Sequence, residues 1–511
     1  MNHWLTILTL VPFLGGIVIA GLGADRKKLV RGLALATSLV GLGGAICLWL
    51  HFNAKSGGLQ FVEKFDWVPS LGIQYFLGVD GLGLLMVLLT AIVTPLAILA
   101  SWNVEDRPHV FHALVLWLQA GLFGTFTALN FFHWFLFWEL GLIPAFFLIK
   151  LWGGPKRGPA ATQFFIYTMV GSVALLLSFL AIRLATGSFD FIELAAMAKS
   201  GVLTTKLQAA FGWKNIGLIV FFGAFLGFAV KVPVIPFHTW LPAAYSEAPS
   251  SVTMLLTGVM SKMGVYGFLR ILLPIFPDQI RQVLTPLLWL AVATVVLSTC
   301  AAFAQKDLKR MLAYSSINHL GYCLLAMFAA TAVATGVNAP DLQKAAALDG
   351  CLLQMFNHGL TASALFLFMA LIEKRSGGLR GLDDFGGLRK VVPVFTGLMG
   401  IALFSSLGLP GLNGFVGEFL IFKGVFPLAP WAAAISTIGI LVTAIFLLTL
   451  IQRVFCGPLN ERWAKFPDLT TAERFLVLPS IALMFVLGIW PQFILGKIDA
   501  TVMQLVQQLN F

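Results

Sequence analysis

Runs of about twenty apolar residues, separated by short polar stretches, recur along almost the whole chain. A bilayer core about 30 Å thick needs roughly 20 such residues per helix, so each run predicts a membrane-spanning helix. Fourteen are predicted, at approximately 3–23, 29–51, 76–101, 109–129, 131–152, 162–185, 214–237, 251–273, 283–304, 308–332, 346–373, 391–422, 432–455 and 474–494. The longest polar stretches, 52–75, 186–213 and 374–392, are short for a domain. The expected fold is therefore all-α, one polytopic membrane domain over 1–511 with no soluble module.

Composition narrows the function classes. Of 511 residues, 59% are hydrophobic and 11% charged, and the mean hydropathy is +0.91. Soluble domains carry about 25% charged residues, so disorder, collagen, disulfide scaffolds and compact soluble enzymes are excluded. Cys47, Cys300, Cys323, Cys351 and Cys456 are scattered without CxxC spacing and read as small buried hydrophobes. The net charge of +11 needs no nucleic acid. Lys and Arg beside loops that follow odd-numbered spans outnumber those beside even loops about two to one, which places the odd loops in the cytoplasm and both termini outside. The basic cluster Arg26, Lys27, Lys28 and Arg31 follows the first span, as in an uncleaved anchor.

Ionisable groups at mid-bilayer cost roughly 2.5–3.5 kcal/mol each on insertion scales, so they point to function. Glu139 sits near the middle of span five with no basic partner in reach on its own helix. Lys231 precedes Pro233 and Pro236, which remove backbone donors and break the helix. Broken helices at membrane depth occur where they line a cavity or are buried in protein. Lys262 is central in span eight, with Tyr266 one turn on and Gly258, Ser261 and Gly264 nearby; small residues allow close helix approach, which places this helix inside the bundle. Glu418 follows Pro410 and Gly408, Gly411, Gly414 and Gly417, a second interrupted helix.

Two breaks in corresponding positions point to an inverted-repeat transporter. Spans four to eight (109–273) and nine to thirteen (283–455) are the expected repeats, after N-terminal spans in 1–101 and before a C-terminal span and tail in 474–511. His319 and His358, in spans ten and eleven, are candidates for a relay, because an imidazole both accepts and donates a proton. Each of these groups also has a structural alternative: a protonated acid on a backbone carbonyl, a lysine snorkelling to the interface, a satisfied core histidine. His133 and His238 have weaker claims, and His3, His51, His109 and His112 are expected at the interface.

The same segments resemble the proton-translocating, antiporter-like subunits of respiratory complex I. The matching motifs are Gly78-Val-Asp-Gly-Leu82, Phe137-Trp-Glu139 with Pro144, Ala229-Val-Lys-Val-Pro233, His238-Thr-Trp-Leu-Pro242, Ala302-Phe-Ala-Gln305, Asp307-Leu-Lys-Arg310, Tyr314-Ser-Ser-Ile with His319-Leu-Gly321, His358-Gly-Leu360 and Phe415-Val-Gly-Glu418. Glu418, where other antiporter-like chains usually carry lysine, makes the resemblance one to the chain M, or chain 4, branch. It implies fourteen helices with two inverted five-helix repeats. It also implies a role for each residue: Glu139 pairs with Lys231, Lys262 links toward the middle, His319 and His358 continue a polar axis, and Glu418 ends the second half-channel. Asp80 and His238 lie in matching motifs, and with Tyr266, one turn from Lys262, they are candidate supporting positions.

The resemblance implies neighbouring antiporter-like chains as partners in a bacterial inner membrane. Protons are the transported species, no metal or cofactor is held by this chain, and NADH, FMN, Fe–S clusters and quinone sit only in partner subunits. One departure stands out: the family often reads Leu-Pro-Asp-Ala-His, and here the chain reads Leu241-Pro-Ala-Ala-Tyr245. A multisubunit Na⁺(K⁺)/H⁺ antiporter, a membrane-bound hydrogenase-type complex and a passive spacer remain as rival readings. Four intramembrane charges, costing roughly 10–14 kcal/mol by the same scale, weigh against the spacer.

Overall fold

The computed structural model describes residues 3–332 and 338–509. The N-terminal part holds α1 (Trp4–Ala20), α2 (Lys27–His51), the hairpin β1 (Gln60–Val68) and β2 (Ile73–Val79), and α3 (Gly81–Ala100). Then come α4 (Pro108–Thr127), α5 (Phe131–Trp152), α6 (Arg157–Thr186), the short α7 (Phe191–Lys199) and α8 (Val202–Phe211), α9 (Ile216–Lys231), α10 (Trp240–Glu247) and α11 (Ser250–Ile275). The rest is α12 (Leu284–Phe303), α13 (Leu308–Ala330), α14 (Pro340–Ser376), α15 (Pro393–Leu407), α16 (Asn413–Leu428), α17 (Pro430–Phe455), α18 (Thr471–Ile489) and α19 (Gln492–Leu509).

Among the described residues, ten helices are long and apolar enough to cross a bilayer, or eleven if α8 and α9, bent by 105°, form one span. The fourteen expected spans are not all matched by that measure, for two physical reasons. The apolar helices α1 and α15 have 17 and 15 residues. Helix α13 is diluted by Ser315, Ser316, Asn318 and His319, all buried in protein, so it needs no lipid-compatible surface. The expected start of span three is also corrected. Residues 76–79 belong to β2, paired antiparallel with β1 from Gln60↔Val79 to Val68↔Ile73, and the helix begins only after Asp80, whose side chain caps it by accepting from Gly83 N.

Burial sorts the helices into a core and a ring. Over their most apolar windows, α3, α11 and α14 are 89%, 100% and 94% buried, whereas α2, α17 and α18 are 33%, 33% and 28% buried. The exposed side chains of the ring, such as Leu50, Leu184, Leu441 and Ile489, face the surface that lipid would cover. Helices α11 and α14 cross at glycines: a Cβ on Gly359 would sit 2.6 Å from the Gly258 carbonyl. This contact brings the helix of Lys262 against the helix of His358.

One expectation about single side chains fails. Of the five cysteines, Cys323 and Cys351 are buried, but Cys300 is exposed and Cys47 and Cys456 are half-buried; an apolar thiol sits as readily in lipid as in a core. His112, near the start of α4, is fully buried in protein, its Nδ1 2.8 Å from the Pro108 carbonyl one turn back.

Candidate functional site: a buried polar chain

Helix α9 ends at Lys231 because Pro233 and Pro236 cannot continue it. The chain turns and re-forms a helix at α10. In the second half, α15 stops at Gly408 in the left-handed region (φ +81°) and α16 starts at Asn413. A Cβ at Gly414 would lie 1.9 Å from the Ser405 carbonyl, so the break closes only with glycine there. It is stitched by Asn413, whose carbonyl accepts from Asn357 Nδ2 at 2.7 Å and whose Oδ1 accepts from Ser405 Oγ at 2.5 Å. These contacts take up polar groups that the interruption exposes. They also hold Glu418, on α16, toward the bundle interior.

Four of the six residues expected to carry protons are brought together. Lys262 Nζ lies 2.7 Å from His358 Nδ1 and donates to the Thr257 carbonyl at 2.5 Å. The rings of His358 and His319 are 5.0 Å apart, centre to centre. His319 Nδ1 lies 2.9 Å from Glu418 Oε1, and its Nε2 lies 3.1 Å from Ser406 Oγ. Gln354 adds a donor to Glu418 Oε1 at 3.2 Å. Lys262 is fully buried, and His319, His358 and Glu418 are each at most 7% exposed. A cavity of about 10 Å³ opens among His319, Gln354, Asn357, His358, Ser405 and Glu418, enough for about one water with several polar partners.

The expected pairing of Glu139 with Lys231 is not present as a direct contact. Glu139 Oε1 and Lys231 Nζ are both buried without a hydrogen-bond partner, and the ammonium instead lies over the Trp138 ring, 4.8 Å from its centre. The cause is local. Trp138 and Glu139 are neighbours on α5, about 100° apart around its axis, and the indole occupies the face that the lysine approaches. A cation over an indole is attracted by the ring quadrupole, a weaker substitute for the carboxylate.

The supporting positions form a separate group. Tyr266 donates to the Phe126 carbonyl at 3.2 Å and accepts from Arg270 Nε at 3.3 Å. Arg270 Nη2 in turn donates to Asp80 Oδ1 at 2.5 Å. Asp80 and Arg270 help to line a cavity of about 410 Å³ with residues of the 57–59 loop, α7 and α19. His238 is half-buried, with Nδ1 unpartnered and its ring 6.3 Å from Tyr314; no contact joins it to the chain of four.

Sequence reasoning missed three parts of the site. Asn357, Asn413 and Ser405, which hold the second break, sit in apolar surroundings where a polar residue needs a partner, and that signal was available. Arg270 as the counter-ion of Asp80 was not foreseeable, since the two are 190 residues apart. Nor was the ion network that ties the halves together at the end of the bundle assigned to the cytoplasm by the charge rule. There Arg380 meets Asp307 at 2.6 Å, Glu247 at 3.1 Å and Glu373 at 3.7 Å, while buried Lys309 meets Glu373 at 3.5 Å. Burial works against the Arg380 charge, but these carboxylates outweigh it and hold the guanidinium above its ordinary proton affinity.

The chain is similar to known proteins in sequence and in fold. Residues 128–445 match the family described as NADH:quinone oxidoreductase/Mrp antiporter, TM, and residues 58–125 match NADH-ubiquinone oxidoreductase chain 4, amino terminus. NADH-quinone oxidoreductase subunit M of Rhodobacter capsulatus is 35% identical over 99% of this chain and 97% of its own. F(420)H(2) dehydrogenase subunit M of Methanosarcina mazei is 36% identical over 96% and 95%. Among solved structures, a chain of respiratory complex I from Thermus thermophilus superposes with a TM-score of 0.84 at 28% identity, covering 99% of this chain and all of that one. The Mrp complex of Dietzia shares the fold, with a TM-score of 0.82 at 20% identity over the whole of both chains. With its motifs, its fold and nearly its full length matched in this way, the chain belongs to the NADH:quinone oxidoreductase/Mrp antiporter family of membrane subunits, in the subunit M (chain 4) branch.

Proposed function

We propose that this chain is a proton-translocating membrane subunit of a complex I-like NADH:quinone oxidoreductase, working beside other membrane subunits. One observation carries the reading: two hydrogen-bonded pairs, Lys262–His358 and His319–Glu418, meet ring to ring at 5.0 Å and form a run of titratable side chains through the buried centre. Each such group is costly at this depth, and a purely structural chain would have little reason to keep four in contact. Redox chemistry, with NADH, FMN, Fe–S clusters and quinone, belongs on this reading to partner subunits, and this chain contributes the proton path.

The chemistry follows from the contacts. A protonated Lys262 donates toward His358 Nδ1, and His358 passes charge across the 5.0 Å ring gap to His319, whose Nδ1 faces Glu418. Opposite charges stabilise each other's ionised forms, so a charge arriving at Glu139 or Lys231 alters how firmly Lys262 holds its proton. Glu139 acts through space rather than through a bond. By the charge rule the odd loops are cytoplasmic and both termini face the periplasm of a bacterial inner membrane.

The test uses the assembled complex in sealed vesicles. Glu139→Gln and Lys231→Ala each lower the number of protons moved per electron to the level of a complex whose copy of this subunit is inactive. An unchanged ratio in both variants rejects the proposal.

A further inference from the structure

The chain of four begins at Lys262, and no hydrogen bond joins it to Lys231. From Lys231 a narrow gap, too tight to admit water, runs along Trp240, Tyr245, Leu256 and Met260 to Ser261, the residue before Lys262. A proton crossing it must therefore ride on side chains. Leu256 and Met260 carry no exchangeable proton, and the Trp240 indole N–H is committed to the Val230 carbonyl at 3.0 Å and can only donate. Two hydroxyls remain, and a hydroxyl both accepts and donates.

Ser261 Oγ donates to the Thr257 carbonyl at 3.1 Å and lies 3.5 Å from Lys262 Nζ. Tyr245 is 1% exposed, and its hydroxyl donates to the Leu256 carbonyl at 3.0 Å. Leu256 opens a π-helical turn, Leu256–Met260, inside α11, a feature that often marks functional sites. The Tyr245 ring is held edge-on by Trp240 and Phe366, at 6.4 and 6.1 Å between centres, so its easiest motion is rotation of the O–H itself.

We propose that Tyr245 is the proton relay between Lys231 and Lys262, a role that rests on the proton-path reading above. In one transfer, Tyr245 Oη takes a proton from Lys231 while its own proton passes to Ser261 Oγ. The Ser261 proton passes in turn to the neutral amine of Lys262. Each oxygen gains one O–H bond and loses one, so the net change is one proton moved from Lys231 to Lys262, after which both hydroxyls rotate back. The step runs only when Lys262 is neutral, that is, after its proton has gone to His358, and this orders the two halves in time.

The experiment measures protons per electron in vesicles containing the whole complex, with assembly followed on native gels. Tyr245→Phe removes one oxygen and is expected to match Lys231→Ala, while Tyr245→His restores transfer with a new dependence on pH near the imidazole range of about 6.5. If Tyr245→Phe keeps the wild-type ratio while Lys231→Ala and Lys262→Ala lose it, the relay is overturned and the wider path stands. If all three keep it, the wider path falls as well. Loss in Tyr245→Phe without recovery in Tyr245→His marks the hydroxyl as a pin for the π turn and also overturns the relay. Should Tyr245→Phe fail to assemble, 3,5-difluorotyrosine at position 245 preserves shape and hydrogen bond but is a stronger acid. The relay then predicts that transfer fails at lower pH than in the wild type, and an unmoved profile contradicts it.

Discussion

The two groups of titratable side chains in the molecule are held in opposite ways. From Lys262 to Glu418, His358 and His319 link the two repeats through hydrogen bonds and a ring contact, Gln354 and Ser406 add further partners, and a water-sized space lies alongside. At the first break, half-buried Glu139 and buried Lys231 have no hydrogen bond, and the space beside Lys231 is too tight for water. The same kind of break, a helix interrupted by proline or glycine, sits beside both. The difference teaches that a break supplies room for a charge but not its partner. At the second break Asn413 and Ser405 spend their polar atoms on the break itself, which leaves Glu418 free for His319; at the first, the Lys231 ammonium lies over the Trp138 ring and makes no hydrogen bond to Glu139.

The contrast can be broken most forcefully at Gly414. An alanine there places its Cβ 1.9 Å from the Ser405 carbonyl, an overlap that only movement of the backbone relieves. Overpacking of this kind costs about 1–3 kcal/mol or more. Gly414→Ala is expected to lower the amount of assembled complex on native gels, whereas the same change at Gly400, with nothing within 4 Å of its Cβ position, leaves assembly near the wild-type level.

The two lysines sharpen it next. Lys262→Met leaves His358 Nδ1 and the Thr257 carbonyl without their donor, a loss of about 1–3 kcal/mol. Lys231→Met removes a buried cation that has no hydrogen bond to lose, so stability is expected to hold or rise. The half-life of the purified complex at a fixed elevated temperature reads both, and equal losses from the two variants would contradict the difference between the two groups.

The smallest expected effect is at Ser406, which meets His319 Nε2 at 3.1 Å. Ser406→Ala removes one neutral hydrogen bond, about 0.5–1.5 kcal/mol. It is expected to shorten the same half-life slightly and to slow proton transfer by less than loss of Glu418 does.

Much of this was legible in the sequence, because lipid imposes simple rules. The apolar runs gave the helices, Pro233 with Pro236 and the glycines around Pro410 gave the breaks, and the small residues around Lys262 gave its place inside the bundle. What failed did so where neighbours far along the chain decide. The start of span three was lost to β2, because a strand whose partner lies a turn away is as apolar as a helix end. The span read at 308–332 does form as α13, whose serines, Asn318 and His319 are polar because they face protein. The Glu139–Lys231 pairing was implied by the resemblance alone, and that the ammonium would lie over the Trp138 ring was not visible in a one-dimensional pattern. Arg270 and Arg380, which close onto Asp80 and Asp307, are set by tertiary contacts alone.

The central claim is that Lys262 and Glu418 are two ends of one path. Protons moved per electron, measured for Lys262→Met, Glu418→Gln and the double variant in sealed vesicles, test it most directly, because groups acting as a unit are strongly non-additive. One path predicts that the double variant loses no more than either single change. Losses that add, with the double variant well below both singles, would show two independent routes and contradict the account.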